Sequence, residues 1–163
     1  MKPSIFFILL LLSISIAAVS ADEPSPYPST LALPAVQNSS VTGLWKTIDD
    51  ETGKPKSYVE IYQGRDGLYY GKITELLNRA PSEDQDPYCK VCPKDDPRHN
   101  QRIIGMNIIQ KMEKNGSTYS GGTILDPKSG KIYTCKFWLD DGELKVRGYV
   151  GPFFRTQTWK RVR

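Results

Sequence analysis

Gly121–Val162, GGTILDPKSGKIYTCKFWLDDGELKVRGYVGPFFRTQTWKRV, is the stretch whose reading decides the fold. Ser129-Gly130, Asp141-Gly142 and Gly151-Pro152 cut it into four strand-length segments. Tyr133, Cys135, Phe137 and Leu139 alternate onto one face, and after the next turn Leu144, Val146, Gly148 and Val150 do the same. Alternation between tight turns is the mark of antiparallel hairpins with one buried face.

The pattern continues toward the amino terminus. Gly43–Ile48 carries Trp45 and ends in a polar turn, and Lys56–Tyr62 alternates. Asp66-Gly67 turns the chain into Leu68–Leu77, and Asn115-Gly116 joins Ile103–Met112 to Tyr119–Leu125. Asp-Gly and Asn-Gly suit such places because primed hairpin turns need positive φ. On Ile103–Met112 the alternation groups Ile104, Met106 and Ile108. Eight strands with short connections predict an all-β domain, a single antiparallel up-and-down barrel, since closure is what removes exposed edges. A two-sheet sandwich is the alternative, but it wants longer crossovers. One connection is long: residues 78–102 form a polar, proline-bearing insertion, of a length that is often functional or mobile.

Residues 1–21 read as a signal peptide, with Lys2, the apolar run Ile5–Ile16 and small residues at Val19-Ser20-Ala21. An uncleaved anchor is the alternative, although the run is short for a bilayer. Residues 22–40, with Pro24, Pro26, Pro28 and Pro34, read as a flexible leader. Residues 41–163 remain for one domain, with sequons at Asn38 and Asn115 that matter only in a eukaryotic secretory pathway. The expected location is therefore periplasmic or extracellular, with no membrane span in the mature chain. Losing Lys2 lowers Lys+Arg from 22 to 21 against 18 acidic residues, a net charge of about +3. Nucleic-acid binders carry a denser basic face than that.

The blocks Gly43-Leu44-Trp45, GKPKSYVEIY, GGTILDPKSGKIYTCK, LKVRGYVG and RTQTWKRV resemble the bacterial family known as domain of unknown function 2147. The likeness spans about Val41–Val162, and Cys89-Lys90-Val91-Cys92 falls where that family has its CxxC. It implies an exported protein with a lipocalin-like (calycin) barrel, and it supplies no catalytic residues. Gly43-Leu44-Trp45 also resembles the G-x-W of lipocalins, in which the Trp seals the closed end beneath a late Arg. Arg155 or Arg161 could take that place by stacking on the indole.

Several constellations invite chemistry. Cys89 and Cys92 are expected to form a short disulfide in an oxidising compartment. A redox pair would need a helix to begin there, and Pro93 follows. A Cys3His zinc site with His99 and Cys135, or a bridge from Cys135 to the insertion, are further alternatives, against a buried free thiol at Cys135. His99 is the one histidine, in a stretch expected to be poorly ordered, and the acidic pairs all fall in turns. No catalytic motif, metal or cofactor is expected.

The leading expectation is a binder of a small, partly apolar or carboxylate-bearing ligand. Its candidate lining is Trp45, Val59, Ile61, Met106, Ile108, Phe137 and Val146, although the same residues could simply fill the interior. Arg147, Tyr149, Arg155 and Gln157 are the polar candidates, and the Arg-x-Tyr of Arg147 and Tyr149 resembles the carboxylate clamp of intracellular fatty-acid-binding proteins. The objection is parity: if Val146 points in, Arg147 points out. The alternative function is an interaction or structural module acting through its outer surface and the 78–102 insertion, and an enzyme comes third.

Overall fold

Paired central residues of positive φ, Asp141 at 49° and Gly142 at 75°, close one of the hairpins on which the whole chain depends. Such a turn matches the right-handed twist of the strands it joins, so successive strands fall into register without crossovers. A computed structural model describes residues 40–162; the expected signal peptide and nearly all of the leader lie outside them. The strands are β1 Gly43–Ile48, β2 Pro55–Gln63, β3 Tyr69–Leu76, β4 Asn107–Asn115, β5 Thr118–Asp126, β6 Lys131–Asp140, β7 Glu143–Val150 and β8 Phe153–Arg161. Each pairs antiparallel with the next, and β8 returns to β1 through Trp45 opposite Arg161 and Lys46 opposite Lys160. The sheet is a closed eight-stranded up-and-down barrel. Among the described residues, the strand pairing and the buried apolar core lie between Val41 and Val162.

The strand order gives the barrel two unlike ends. The β2–β3, β4–β5 and β6–β7 turns and the start of β1 share one end; the β1–β2, β3–β4, β5–β6 and β7–β8 connections share the other. The half nearer the first end is filled. Tyr119 packs edge-on against Tyr69 at 4.7 Å and flat on Phe137 at 4.8 Å between ring centres. Trp45, Ile61, Met112 and Leu144, all fully buried, complete this layer.

Two expectations are corrected. The fourth strand does not begin at Ile103: residues 103–106 form a turn, with Met106 N–H donating to Ile103 O at 3.2 Å and Gly105 at φ 93°. An extended strand cannot run through that conformation, so β4 starts at Asn107. Further on, Lys111 at φ 56° lets three steps of β4, from Ile109 to Met112, oppose two steps of β3, from Gly71 to Tyr69. This bulge turns Ile109 and Met112 inward.

The insertion is not structureless. Cys89 and Cys92 are bridged and buried, and Tyr88 pairs with Arg102. Arg98 is buried and makes two bonds to the Asp96 carboxylate, at 2.6 and 2.8 Å. His99, expected in a poorly ordered place, holds its Nδ1 2.7 Å from Cys92 O. Gly130 of the β5–β6 turn lies so close that a Cβ there would stand 1.9 Å from Val91 O. The insertion is therefore fastened to the neighbouring turn as part of the barrel's wall.

Candidate functional site

Parity along β8 builds the site. Trp159 is buried, so Gln157, Arg155 and Phe153 share its face and turn toward the barrel axis, opposite Val146, Gly148 and Val150 of β7. Gly148 contributes no side chain, and the space beside it opens into a cavity of about 400 Å³. Trp159, Val146, Ile73 and Ile108 provide its apolar depth. Tyr133 lines the wall together with Thr47 and Ser57, whose hydroxyls meet at 2.8 Å. Both hydroxyls are buried and hydrogen-bonded, so a guest meets a satisfied polar spot in an otherwise apolar wall.

The mouth is charged. Asp50 Oδ2 accepts from Arg155 Nη2 at 2.8 Å and from Gln157 Nε2 at 2.5 Å, and Gln157 Oε1 accepts from the Trp159 indole N–H at 3.1 Å. This chain leads from solvent to the buried tryptophan. Lys56 pairs with Asp126, and Lys128 with Glu51, each at 3.6 Å. Asp49 lines the same rim, and hydrogen bonds from the Thr52 backbone and hydroxyl hold its carboxyl below the usual 3.8. Acids and bases are nearly balanced there, so the rim holds exchangeable partners rather than one strong field.

The sequence-predicted residues fall into three groups. Ile108, Val146 and Arg155 line the cavity. Trp45, Val59, Ile61, Met106 and Phe137 are buried but are not among the lining residues; they fill the interior. Arg147 and Tyr149 are not among the lining residues either. Arg147 stacks over Trp138 at 5.1 Å and Phe154 at 4.3 Å, and donates to Thr156 Oγ1 at 2.7 Å. The parity objection to the clamp therefore holds, and the arginine that faces inward is Arg155.

Trp45 lies beneath Arg161, not Arg155: that guanidinium is 4.2 Å from the ring centre and donates to Thr42 O and Ser40 O. The indole N–H donates to Val41 O at 2.8 Å. Gln157, grouped in the sequence with Arg155, does line the cavity, whereas Thr47, Ser57, Asp50 and Trp159 were not anticipated there, although Trp159 shares the parity of Arg155.

Cys135 is a buried free thiol, pushed up to about 12 by burial, which leaves it protonated and inert near neutrality. Among the described residues no cluster of His, Cys, Asp and Glu is arranged to hold a metal ion. No helix among them is long and apolar enough to cross a membrane.

A closed eight-stranded barrel with one filled half, one hollow half and a Trp–Arg seal is lipocalin-like in architecture. The chain belongs to the family described as an uncharacterized protein conserved in bacteria, DUF2147, whose profile matches residues 43–161. Among solved structures it is similar to protein HP1028 from Helicobacter pylori, described as belonging to the lipocalin family. The TM-score is 0.63 at 22% identity, over 76% of this chain and 84% of that one. At that identity the likeness speaks for the fold alone. No curated protein matches the chain.

Proposed function

We propose that the protein is a carrier or receptor, not an enzyme, and holds one small, partly apolar molecule in the open half of its barrel. The carrying observation is the cavity of about 400 Å³ with an apolar floor beneath a charged mouth. That volume lies within the usual range for small-molecule sites, and so does the mixture of apolar wall with a few polar anchors. A carboxylate on the guest fits best beside Arg155, whose bond to Asp50 is exposed and cheap to exchange. The guest's apolar part then lies against Trp159 and Val146.

The same proposal puts the protein in the periplasm or outside the cell. The Cys89–Cys92 disulfide and the character of residues 1–21 support this, because disulfides persist in oxidising compartments. Intact mass of the exported chain, beginning at Asp22, checks that part.

The test of the carrier reading is titration with a fluorescent fatty acid, followed by native mass spectrometry of the complex. One-to-one uptake is expected, weakened at least about tenfold by Val146→Trp, which fills the cavity, with folding intact. No uptake, or uptake indifferent to Val146→Trp, would sink the carrier reading. The protein would then stand as a module acting through its outer surface.

A further inference from the structure

Among the described residues, six large apolar side chains stand exposed: Tyr88, Val91, Ile132, Val150, Phe153 and Phe154. All six belong to the same end of the barrel. Tyr88 and Val91 are in the β3–β4 insertion, Ile132 follows the β5–β6 turn, and Val150, Phe153 and Phe154 flank the β7–β8 turn. The three tight turns at the opposite end carry none. Phe153 is the extreme, 76% exposed at the tip of a hairpin. Large exposed apolar groups collected on one face usually mark a contact surface.

The charges beside these residues indicate what the surface meets. Lys90 precedes Val91 and Lys131 precedes Ile132, while Arg155, next to Phe154, pairs with Asp50, and Arg102, across the bridge from Tyr88, pairs with Asp86. No aspartate or glutamate is a chain neighbour of any of the six. Lys90 and Lys131 are exposed and make no ion pair among the described residues. The acids Asp49, Asp50 and Glu51 line the same mouth, where Asp50 is taken up by Arg155 and Glu51 by Lys128, which leaves Lys90 and Lys131, among the described residues, as the unpaired cations beside the apolar tips. Apolar tips with a cation at the shoulder match a bilayer surface, where rings and aliphatic groups enter the headgroup boundary and Lys or Arg reach phosphates.

The six residues do not form one continuous lining: Val150, Phe153 and Phe154 border the open cavity, whereas Tyr88, Val91 and Ile132 are not among its lining residues. A fluid surface can admit separate loop tips at once, whereas a second folded protein would have to match several separate tips on different connections. We infer that the open end docks on an anionic phospholipid surface, with the β7–β8 hairpin and the insertion as its points of entry. The docking rests on the rim alone, so it stands whether or not the cavity holds a guest.

The exported chain, from Asp22 onward, is mixed with phosphatidylcholine vesicles with and without phosphatidylglycerol, and the bound fraction is read by co-sedimentation. Binding is expected on the anionic vesicles and should weaken as salt is raised. Lys90→Gln with Lys131→Gln lowers that affinity by about tenfold or more. Val91→Ser with Ile132→Ser lowers it while leaving fatty-acid uptake in solution unchanged, and Phe153→Ser with Phe154→Ser abolishes it. Vesicle binding and solution uptake are separate readings, so failure of one does not imply failure of the other. The inference is overturned if neither vesicle is bound, or if the variants bind like the unaltered protein. It is equally overturned if the rim mediates self-association in sedimentation velocity that Phe153→Ser with Phe154→Ser removes, with no lipid bound.

Discussion

The two ends of this barrel are made from the same eight strands and do opposite things. At one end the connections are short turns, the interior is packed with Trp45, Tyr69, Tyr119 and Phe137, and Arg161 lies over the Trp45 indole. At the other the connections lengthen, the interior empties beside Gly148, and ion pairs ring the opening. An eight-stranded barrel has barely room for one guest among its own side chains. Dividing the axis into a packed half and a hollow half lets the same sheet supply both stability and a vacancy. Stability should therefore respond steeply to changes at the sealed end and weakly at the mouth.

The largest effect is expected from Trp45→Ala. It removes a fully buried indole and its bond to Val41, and should cost about 4 kcal/mol in urea unfolding. A loss under about 1 kcal/mol would contradict the claim that this end carries the fold. Next comes Arg98→Ala, which leaves the largely buried Asp96 carboxylate without its partner, at about 3 kcal/mol. The Arg98 side chain, hydrogen-bonded to Asp96, holds that carboxyl below the usual 3.8, against the opposing effect of burial. The pair's contribution is therefore complete above that value and is lost as pH falls through the lower native one. Melting temperature against pH should show this acid loss in the unaltered protein and less of it in Asp96→Asn.

Removing the bridge with Cys89→Ser and Cys92→Ser should cost about 2 kcal/mol, since the closed loop is short. It also loosens the insertion beside Gly130, and hydrogen exchange across residues 88–102 would report that directly. The smallest effect is expected at the rim: Arg155→Gln breaks an exposed pair with Asp50 and should change stability by about 0.5 kcal/mol or less. If Arg155→Gln proved as damaging as Trp45→Ala, the contrast between the ends would be gone.

Most of the architecture could be read from parity and punctuation. Asp141-Gly142 announces its turn because few other pairs tolerate positive φ twice in succession, while at Asn115-Gly116 the glycine alone adopts it. Tyr133 to Leu139 and Leu144 to Val150 show their inner faces because the strand repeat is two. The fourth strand misled because Ile104, Met106 and Ile108 alternate across Gly105, and nothing local shows that this glycine sits at φ 93°. The bulge at Lys111 likewise has no mark in its own residue type.

Arg155 and Arg161 share parity, so the pattern puts both inside, and only the pairing of Trp45 with Arg161 says which lies at the seal. The cavity was the least legible part. Val146 lines it while Phe137, its cross-strand neighbour, fills the barrel, and that depth along the axis depends on register. The order of the insertion comes from a disulfide, a buried ion pair and one close carbonyl contact, none of which has periodicity.

The seam between β1 and β8 carries a temporal consequence. It joins Trp45 to Arg161, nearly the full span of the domain, so the contact that finishes the cylinder has the greatest sequence separation in the sheet. During synthesis the first stave must wait, with its neighbour already in place on one side only, until the final stave has emerged. Any agent that shields a lone β edge has its best opportunity during that interval.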